Sequence, residues 1–216
     1  MSTESLLPSS ANSGSFEQMP TITLSGVNHR SAAVDVREKL ALDEGLSRTA
    51  LKQILSTTKI DEAVVVSTCN RVEVVTASVS GEAAQDQQAA VSECLAEISG
   101  VPHRSLSSHL YHLDGTNAVG HVFRVASGLD SLVVGEPQIL GQLKSAYEFA
   151  QSQGATSRIL NRLFHRAFGV AKAVRSQTKI GQNAVSVAYA GRELARQIFG
   201  DLRHASVLLI GTGETG

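Results

Sequence analysis

The chain alternates hydrophobic and polar positions with two different periods, and the period changes near residue 115. Before that point, short apolar or alternating runs predict strands at residues 21–28, 62–67, 72–78 and 106–113. The intervening segments carry apolar residues at helical spacing, which predicts helices over residues 34–42, 46–57 and 81–99. The order corresponds to β-α-β-β-α-β, which is typical of a ferredoxin-like α+β fold, and the two middle strands are predicted to form a hairpin.

From Gly115 onward the apolar residues repeat only at helical spacing. This pattern predicts added helices at residues 116–126, 138–151, 157–178 and 184–199, with Thr116 as the N-cap of the first. A short apolar strand is predicted at residues 206–210, directly before Gly-Thr-Gly-Glu-Thr-Gly. A strand followed by Gly-x-Gly-x-x-Gly is typical of the start of a Rossmann-type domain, because the glycines let the backbone approach a pyrophosphate. We expect this second domain to be truncated after its first strand.

Composition narrows the class of protein. Residues 1–20 are rich in Ser and contain no Lys or Arg, so we expect a disordered tail and neither a signal peptide nor a transit peptide. Two cysteines cannot form a disulfide framework, and the Cys and His spacing matches no metal site. No apolar run approaches the roughly 20 residues that a membrane span needs. We therefore expect a cytoplasmic protein that binds no metal ion and does not insert into a membrane.

Charge is distributed unevenly, although the net charge of the chain is only −1. Residues 1–143 carry 9 Lys and Arg against 16 Asp and Glu, a net charge of −7. Residues 144–203 carry 10 Lys and Arg against 3 Asp and Glu, a net charge of +7. The positive block indicates either a polyanionic partner or simply solvated helix faces, and charge alone does not separate the two.

Cys69 is the first candidate for chemistry, because it lies in a tight segment between two predicted strands. Arg71 lies two residues further on, so that in extended geometry both side chains project to the same side. A neighbouring cation favours the nucleophilic thiolate, and a guanidinium can also bind a substrate carboxylate. The alternative is a buried structural cysteine with a solvated arginine. Cys94 falls on the apolar stripe of its helix, where we expect it to pack in the core.

Two further features offer polar groups. His121 lies on the striped helix at residues 116–126, where it either faces a cleft as an acid or base or is a partly exposed structural histidine. The segment at residues 128–142 surrounds a proline turn before a helix, and its side chains could bind a polar substrate. A helix N-cap with a structural turn explains the same segment. The polar residues of the segment are Asp130, Ser131, Glu136, Gln138 and Gln142.

Several motifs together closely resemble the glutamyl-tRNA reductase family, and they occur in order between residues 21 and 216. They are Gly-Val-Asn-His-Arg at 26–30, Val-Arg-Glu-Lys at 36–39, Ser-Thr-Cys-Asn-Arg at 67–71, Ala-Ser-Gly-Leu-Asp-Ser at 126–131, Gly-Glu-Pro-Gln-Ile-Leu-Gly-Gln at 135–142 and the terminal glycine-rich turn. Members of this family reduce glutamyl-tRNA to glutamate 1-semialdehyde with NADPH, the first step of the C5 route to tetrapyrroles such as haem.

The resemblance also implies roles for individual residues. The Cys69 thiolate would attack the aminoacyl ester, release tRNA and form a thioester, which a hydride from NADPH would convert to the aldehyde. His121 would be the second catalytic residue, through proton transfer or substrate placement. Arg71 would bind the glutamate carboxylate. The implied substrate pocket consists of Thr68, Asn70, Arg71, Ser131, Glu136, Pro137, Gln138 and Gln142, and the implied NADPH site of Gly211, Thr212, Gly213, Glu214, Thr215 and Gly216.

The resemblance further implies a domain organisation and partners. The tail would cover residues 1–20, a catalytic glutamyl-tRNA-binding domain 21–155, a helical connector 156–204, and the start of the NADPH-binding domain 205–216. Family members continue through a dimerisation domain and deliver their product to the next enzyme of the pathway. We therefore expect a fragment that binds NADPH poorly and lacks the dimer contact, with its positive block facing tRNA phosphates. One alternative is a non-catalytic remnant that binds tRNA or a partner protein. Another is a thiol redox sensor, but the chain offers no resolving cysteine for this role.

Overall fold

The computed structural model describes residues 19–57, 59–79, 82–181, 187–204, 206 and 208. Within these residues the chain forms four strands and eight α-helices. The first half runs β1 (Thr21–Asn28), α1 (Val34–Leu40), α2 (Glu44–Thr57), β2 (Glu62–Ser67), β3 (Arg71–Ser78), α3 (Ala84–Ser99), α4 (His103–Leu106) and β4 (Tyr111–Asp114). The second half runs α5 (Gly115–Ala126), α6 (Gln138–Ser152), α7 (Arg158–Gln177) and α8 (Val187–Phe199). Among these described helices, none combines the length and apolar character needed to cross a lipid bilayer.

The four strands form one sheet in the order β2-β3-β1-β4, and every neighbouring pair is antiparallel. The predicted hairpin is confirmed, since Ser67 of β2 pairs with Val72 of β3 across a short turn. At the same end of the sheet Asn28, the last residue of β1, pairs with Arg71, the first residue of β3. The ends of three strands therefore meet where the Cys69 turn lies.

Helices cover the sheet and explain its apolar strands. The pair α2 and α3 packs against β2 and β1, and α5, α6 and α7 also pack against these strands. All eight residues of β3 are buried, as expected for a strand covered on both faces. Cys94 is 3% exposed within this core, so the prediction that it packs there is confirmed.

The structure corrects two local predictions. The segment at residues 106–113 is not one strand, because its first residue ends helix α4 and the backbone N–H of Leu110 donates to the Leu106 carbonyl. Thr116 is not the N-cap of α5: strand β4 runs directly into the helix, and extended Asp114 takes that position without a side-chain cap. The predicted strand at 206–210 lies almost wholly outside the described residues, as do residues 1–18 and the glycine-rich turn at 211–216.

Glu62 fixes the start of the long helix α7 to the sheet. Its carboxylate accepts hydrogen bonds from the backbone N–H groups of Ser157, Ile159 and Leu160, at 2.8–2.9 Å. A carboxylate at a helix N-terminus satisfies free N–H groups and complements the helix dipole. The beginning of α7 is therefore held to strand β2 although 95 residues separate Glu62 from Ser157.

We predict that Gly26→Ala lowers the free energy of unfolding by about 1–3 kcal/mol, the usual cost of overpacking. A Cβ at this position would lie 2.2 Å from the Val72 carbonyl oxygen and 2.7 Å from the Glu73 Cα. Urea denaturation measures the change. Gly169→Ala is the matched control, because a Cβ there meets nothing within 4 Å on helix α7, and we expect it to be neutral or stabilising. Equal stability of the two variants would contradict the prediction.

Candidate active site

The turn between β2 and β3 presents Cys69 at its tip. The Thr68 backbone N–H donates to the Arg71 carbonyl at 2.8 Å, which closes the turn. The Thr68 hydroxyl oxygen in turn accepts hydrogen bonds from the N–H groups of Asn70 and Arg71, both at 3.2 Å. Cys69 is exposed, so its thiol is held at a fixed place and open to solvent. The alternative of a buried cysteine at this position is wrong.

Arg37 on helix α1 holds the same turn from behind. Its Nε donates to the Cys69 carbonyl at 3.3 Å and its Nη1 to the Ala32 carbonyl at 2.7 Å. The side chain is buried, which strengthens these hydrogen bonds relative to water. Arg37 therefore connects α1 and the loop before it to the backbone of Cys69. The motif at 36–39 contains this residue, but its contact with Cys69 is not visible in the sequence.

Cys69 borders an open cleft of about 780 Å³. The cleft lies between the end of β2, the start of α2 and one face of α6. Its wall includes Ser47, Ser67, Thr68, Pro137 and Gln142. The volume falls in the range of ordinary ligand sites, so an amino-acid-sized group fits beside the thiol.

Behind the cleft lies a small recess that gathers most of the predicted substrate residues. It is lined by Thr68, Cys69, Asn70, Arg71, Ser131, Glu136, Gln138, Ile139 and Gln142. Pro137 lines the outer cleft instead. The recess has a volume of about 20 Å³, enough for about one water molecule. The structure thus brings together all eight predicted substrate residues and Cys69, from two segments about 60 residues apart.

Arg71 is buried at the back of this recess and is 1% exposed, so the alternative of a solvated arginine is wrong. Its Nη1 donates to Glu73 at 2.8 Å and to the Asp130 carboxylate at 3.3 Å, and its Nη2 donates to the Asp130 carbonyl. Burial alone would lower the pKa of Arg71, but the negative charges of Glu73 and Asp130 outweigh burial and raise it. The guanidinium therefore stays charged.

Two buried polar atoms of recess residues have no hydrogen-bond partner in the described part of the chain. They are the Nε of Arg71 and the hydroxyl of Ser131. A buried polar atom without a hydrogen-bond partner lowers the stability of the fold by about 1–3 kcal/mol. Most buried polar atoms in folded proteins therefore have a partner. One donor that is charged and one that is neutral are thus available to a ligand at the same recess.

The structure does not bring His121 to Cys69. The imidazole is buried, and it lines neither the cleft nor the recess. Its Nε2 donates to Glu73 at 2.8 Å, and its ring meets Tyr111 edge-on with centroids 5.8 Å apart. Among the contacts of the described residues, Glu73 and then Arg71 link His121 to the recess. A partly exposed histidine, the alternative from the sequence, is also wrong.

Glu73 is the central residue that the sequence analysis missed. One carboxylate oxygen accepts hydrogen bonds from Arg71, His121 and the Tyr111 hydroxyl. Burial alone would raise the pKa of Glu73, but the hydrogen bond from His121 and the charge of Arg71 outweigh burial and lower it. Burial and the Glu73 charge raise the pKa of Tyr111 well above its usual value. The one available signal was a carboxylate inside the apolar strand Arg-Val-Glu-Val-Val.

The loop between α5 and α6 carries Ser131 and Glu136 to the recess. Asp130 anchors it through ion pairs with Arg71 and with Arg30, the latter at 2.9 Å. Gly135 has a φ of +88°, and a Cβ there would lie 2.5 Å from the Ile180 carbonyl. Only glycine suits both the left-handed backbone and the close approach. The loop is thus fixed at both ends of its polar segment.

The described residues offer no arrangement typical of a metal centre. Among them, no group of three or more His, Cys, Asp and Glu side chains is arranged to hold a metal ion. The predicted NADPH residues Gly211 to Gly216 lie outside the described residues.

We predict that iodoacetamide alkylates Cys69 of the native chain at least about 100-fold faster than Cys94. Cys69 is exposed, whereas burial raises the pKa of the Cys94 thiol to about 11. Mass spectrometry of peptides at timed quenches measures both rates, and in urea the two should converge. Similar rates in the native chain would contradict the structure. A Cys69 rate above that of free glutathione at pH 7 would indicate activation beyond mere exposure.

A family model matches residues 25–178 of the chain, and its description is "Glutamyl-tRNAGlu reductase, N-terminal domain". Two similar proteins are the glutamyl-tRNA reductases of Citrifermentans bemidjiense and Geobacter metallireducens. Each is 49% identical over 195 residues, which cover 89% of this chain and 44% of the relative. The chain therefore spans less than half the length of these relatives.

A solved structure is similar as well. Glutamyl-tRNA reductase from Methanopyrus kandleri matches with a TM-score of 0.63 and 31% sequence identity. The match covers 84% of this chain and 40% of that protein. The likeness in fold therefore extends over most of the chain.

Proposed function

Because the chain belongs to the glutamyl-tRNA reductase family, we propose that it forms the part of this enzyme that takes the glutamyl group from its RNA carrier. The complete reaction would be the NADPH-dependent reduction of glutamyl-tRNA to glutamate 1-semialdehyde, at the start of tetrapyrrole synthesis. One observation carries the proposal: an exposed thiol, fixed at a turn, borders a recess that holds a buried guanidinium.

In the proposed first step, the Cys69 sulfur attacks the carbonyl carbon of the aminoacyl ester. A carbon–sulfur bond forms and the bond from the carbonyl carbon to the ribose oxygen breaks. The ribose oxygen leaves with a proton, so that the products are free tRNA and a glutamyl thioester on Cys69. A thiolate attacks well at neutral pH, and the covalent intermediate divides a difficult reaction into two easier ones.

Arg71 is proposed to bind the side-chain carboxylate of the glutamyl group. Its Nε is unpaired, and a carboxylate is the natural acceptor for it. The recess is too small for this group as it stands, so it must widen when the substrate enters. Ser131 offers the second unpaired atom. Thr68, Asn70, Glu136 and Pro137 are proposed to complete the pocket.

His121 is proposed to act on substrate placement rather than on proton transfer, because within the described residues it lines neither the cleft nor the recess and is linked to the recess through Glu73 and Arg71.

We predict that His121→Leu weakens the preference for glutamyl-tRNA over glutaminyl-tRNA by about 10-fold, since one hydrogen bond to Glu73 is lost and Arg71 is held less firmly. Rates of tRNA release from the two esters measure this preference. His121→Gln keeps a donor and should restore it. An equal loss of rate with both esters would instead indicate proton transfer by His121.

Further parts of the proposal concern cofactor, domains and partners. NADPH would supply the hydride that reduces the bound acyl group, and residues 211–216 would contribute to its site. We propose a catalytic domain at residues 21–155 and a helical connector at 156–204. We also propose that the fold is ferredoxin-like, which the strand order β2-β3-β1-β4 supports. A cytoplasmic homodimer and delivery of the product to the next enzyme are likewise proposed from the family.

Single-turnover release of tRNA tests the proposed function. The chain is mixed in excess with tRNA that carries labelled glutamate, and samples are quenched in acid. We expect rapid release that depends on Cys69, with glutaminyl-tRNA reacting at least about 10-fold more slowly because it lacks the carboxylate that Arg71 binds. Binding of tRNA without release would indicate a non-catalytic remnant and would contradict the proposal.

A further inference from the structure

Helix α7 has an unusual charge composition. Its 20 residues include Arg158, Arg162, Arg166, Lys172 and Arg175 but no Asp or Glu. Four of these five are exposed, and Arg175 is half-buried. A helix with cations alone gains no ion pairs within itself and repels its own charges. A negatively charged partner would offset this repulsion, and the surroundings of the lysines distinguish such a partner from simple solvation.

Two of the α7 cations, Lys172 and Arg175, line a groove between α6 and α7 with a volume of about 620 Å³, whereas the three arginines nearer the start of the helix line a separate cavity. Lys144, Lys172 and Arg175 line it over an apolar floor formed by Leu140 and Phe168. No carboxylate is among its described lining residues, and no described carboxylate forms an ion pair with Lys144 or Lys172. We call this feature the basic groove.

Helix α6 separates the basic groove from the Cys69 cleft. Gln138 and Gln142 face the cleft, whereas Leu140 and Lys144 face the groove. At 100° per residue these two pairs are about half a turn apart, so that roughly one helix diameter, about 10 Å, separates the two spaces. Arg175 also connects them, because its Nη1 donates to the carbonyls of Gly135 and Glu136 in the loop that borders the recess.

We propose that the basic groove binds phosphates of the RNA strand whose terminal ester reaches Cys69. This inference rests on the proposed function for the identity of the strand. A terminal nucleotide at the cleft places the preceding nucleotides within the short distance to the groove. Lysines that form no ion pair with a carboxylate are available to bind phosphates as point charges, and the apolar floor accommodates a ribose or base between them. The phosphate contacts position the carrier without reading its sequence.

Binding of tRNA across a series of KCl concentrations tests the groove. Fluorescence anisotropy with labelled, uncharged tRNA gives the dissociation constant at each concentration. In the Lys144→Gln/Lys172→Gln variant, we expect binding at 0.15 M KCl to weaken by about 10-fold or more. The slope of log K against log salt should become shallower by about 1.4, the value for two single-strand phosphate contacts.

Lys52→Gln/Arg104→Gln is the matched control. It removes the same charge from exposed positions that line neither the cleft nor the groove, and we expect it to keep the slope of the parent chain. The proposal is overturned if the parent chain does not bind tRNA, if the groove variant binds like the parent, or if both double variants lose affinity equally. Thermal melting confirms that the surface substitutions leave the fold intact.

Acyl transfer from a small ester separates this inference from the proposed function. The 3′-glutamyl ester of adenosine carries no phosphate, so its reaction with Cys69 should be the same in the parent chain and in the groove variant. If the small ester and tRNA both fail to acylate Cys69 while tRNA binding still depends on the groove, the proposed function fails and the groove stands. If acylation proceeds but tRNA binding ignores the groove, the groove alone fails.

Discussion

Replacing Cys69 with serine is expected to lower the rate of tRNA release from glutamyl-tRNA by about 1000-fold or more. A serine hydroxyl is almost entirely protonated at neutral pH, and no described histidine lies at the recess to remove its proton. A nucleophile without an adjacent base is weak. Because Cys69 is exposed, the substitution should leave the fold and tRNA binding unchanged. Single-turnover release under otherwise identical conditions measures the effect.

Cys94→Ala is the control for this experiment. It also removes a thiol, but Cys94 is buried on helix α3, away from the turn. We expect its release rate to stay within about twofold of the parent chain, since the substitution acts on packing alone. Retention of the parental rate by the Cys69→Ser variant would refute the thioester route, whatever the behaviour of the control.

Glu73→Gln is expected to lower the free energy of unfolding by about 3 kcal/mol. The substitution removes the charge that faces Arg71, His121 and Tyr111 in a buried site. Among the described residues, Arg71 then keeps Asp130 as its one ion-pair partner, and an incompletely compensated buried charge is costly. Urea denaturation measures the loss, and Glu148→Gln on the exposed face of α6 is the matched control.

The effect of Glu73→Gln should depend on pH in one direction. The pKa of Glu73 is lower in the folded chain than its ordinary value of 4.5, so the unfolded chain binds a proton to Glu73 more readily. The stability from this charge is therefore fully present above about pH 4.5 and is lost as the pH falls through the lower folded value. The difference in the free energy of unfolding between the parent chain and the Glu73→Gln variant should be constant near neutral pH and become smaller in acid. A difference that grows in acid would contradict the assigned charge.

The positions of strands and helices were largely predictable because burial imposes a period. Strand β3 is buried along its length since helices cover both faces of the sheet, and the run of Val residues in β2 has the same cause. The prediction of a strand over residues 106–113 was wrong at its start. Leu106 is apolar because it is the last residue of a one-turn helix, and not because it belongs to a strand. A period cannot be recognised over so few residues.

Individual polar residues of the recess were predictable in part, because they lie at the turn of Cys69, in the loop before α6 and at the start of α6. That these two segments share one substrate pocket was implied by the resemblance to the family and not by their spacing. The network around Glu73 was not predictable, because its members come from β3, β4 and α5. Tyr111 is 38 residues from Glu73, and Asp130 is 59 residues from Arg71. Nothing in the pattern of helix α5 indicates that His121 faces a buried carboxylate rather than a cleft.

Identification of the residue that receives the glutamyl group tests the central claim most directly. The chain is mixed with glutamyl-tRNA, quenched in acid within milliseconds to seconds, and digested for mass spectrometry. We expect one glutamyl group per chain on the peptide that contains Cys69, removable by neutral hydroxylamine as a thioester is. Release of tRNA with no modified Cys69 at any quench time, or with the glutamyl group on another side chain, would contradict the account.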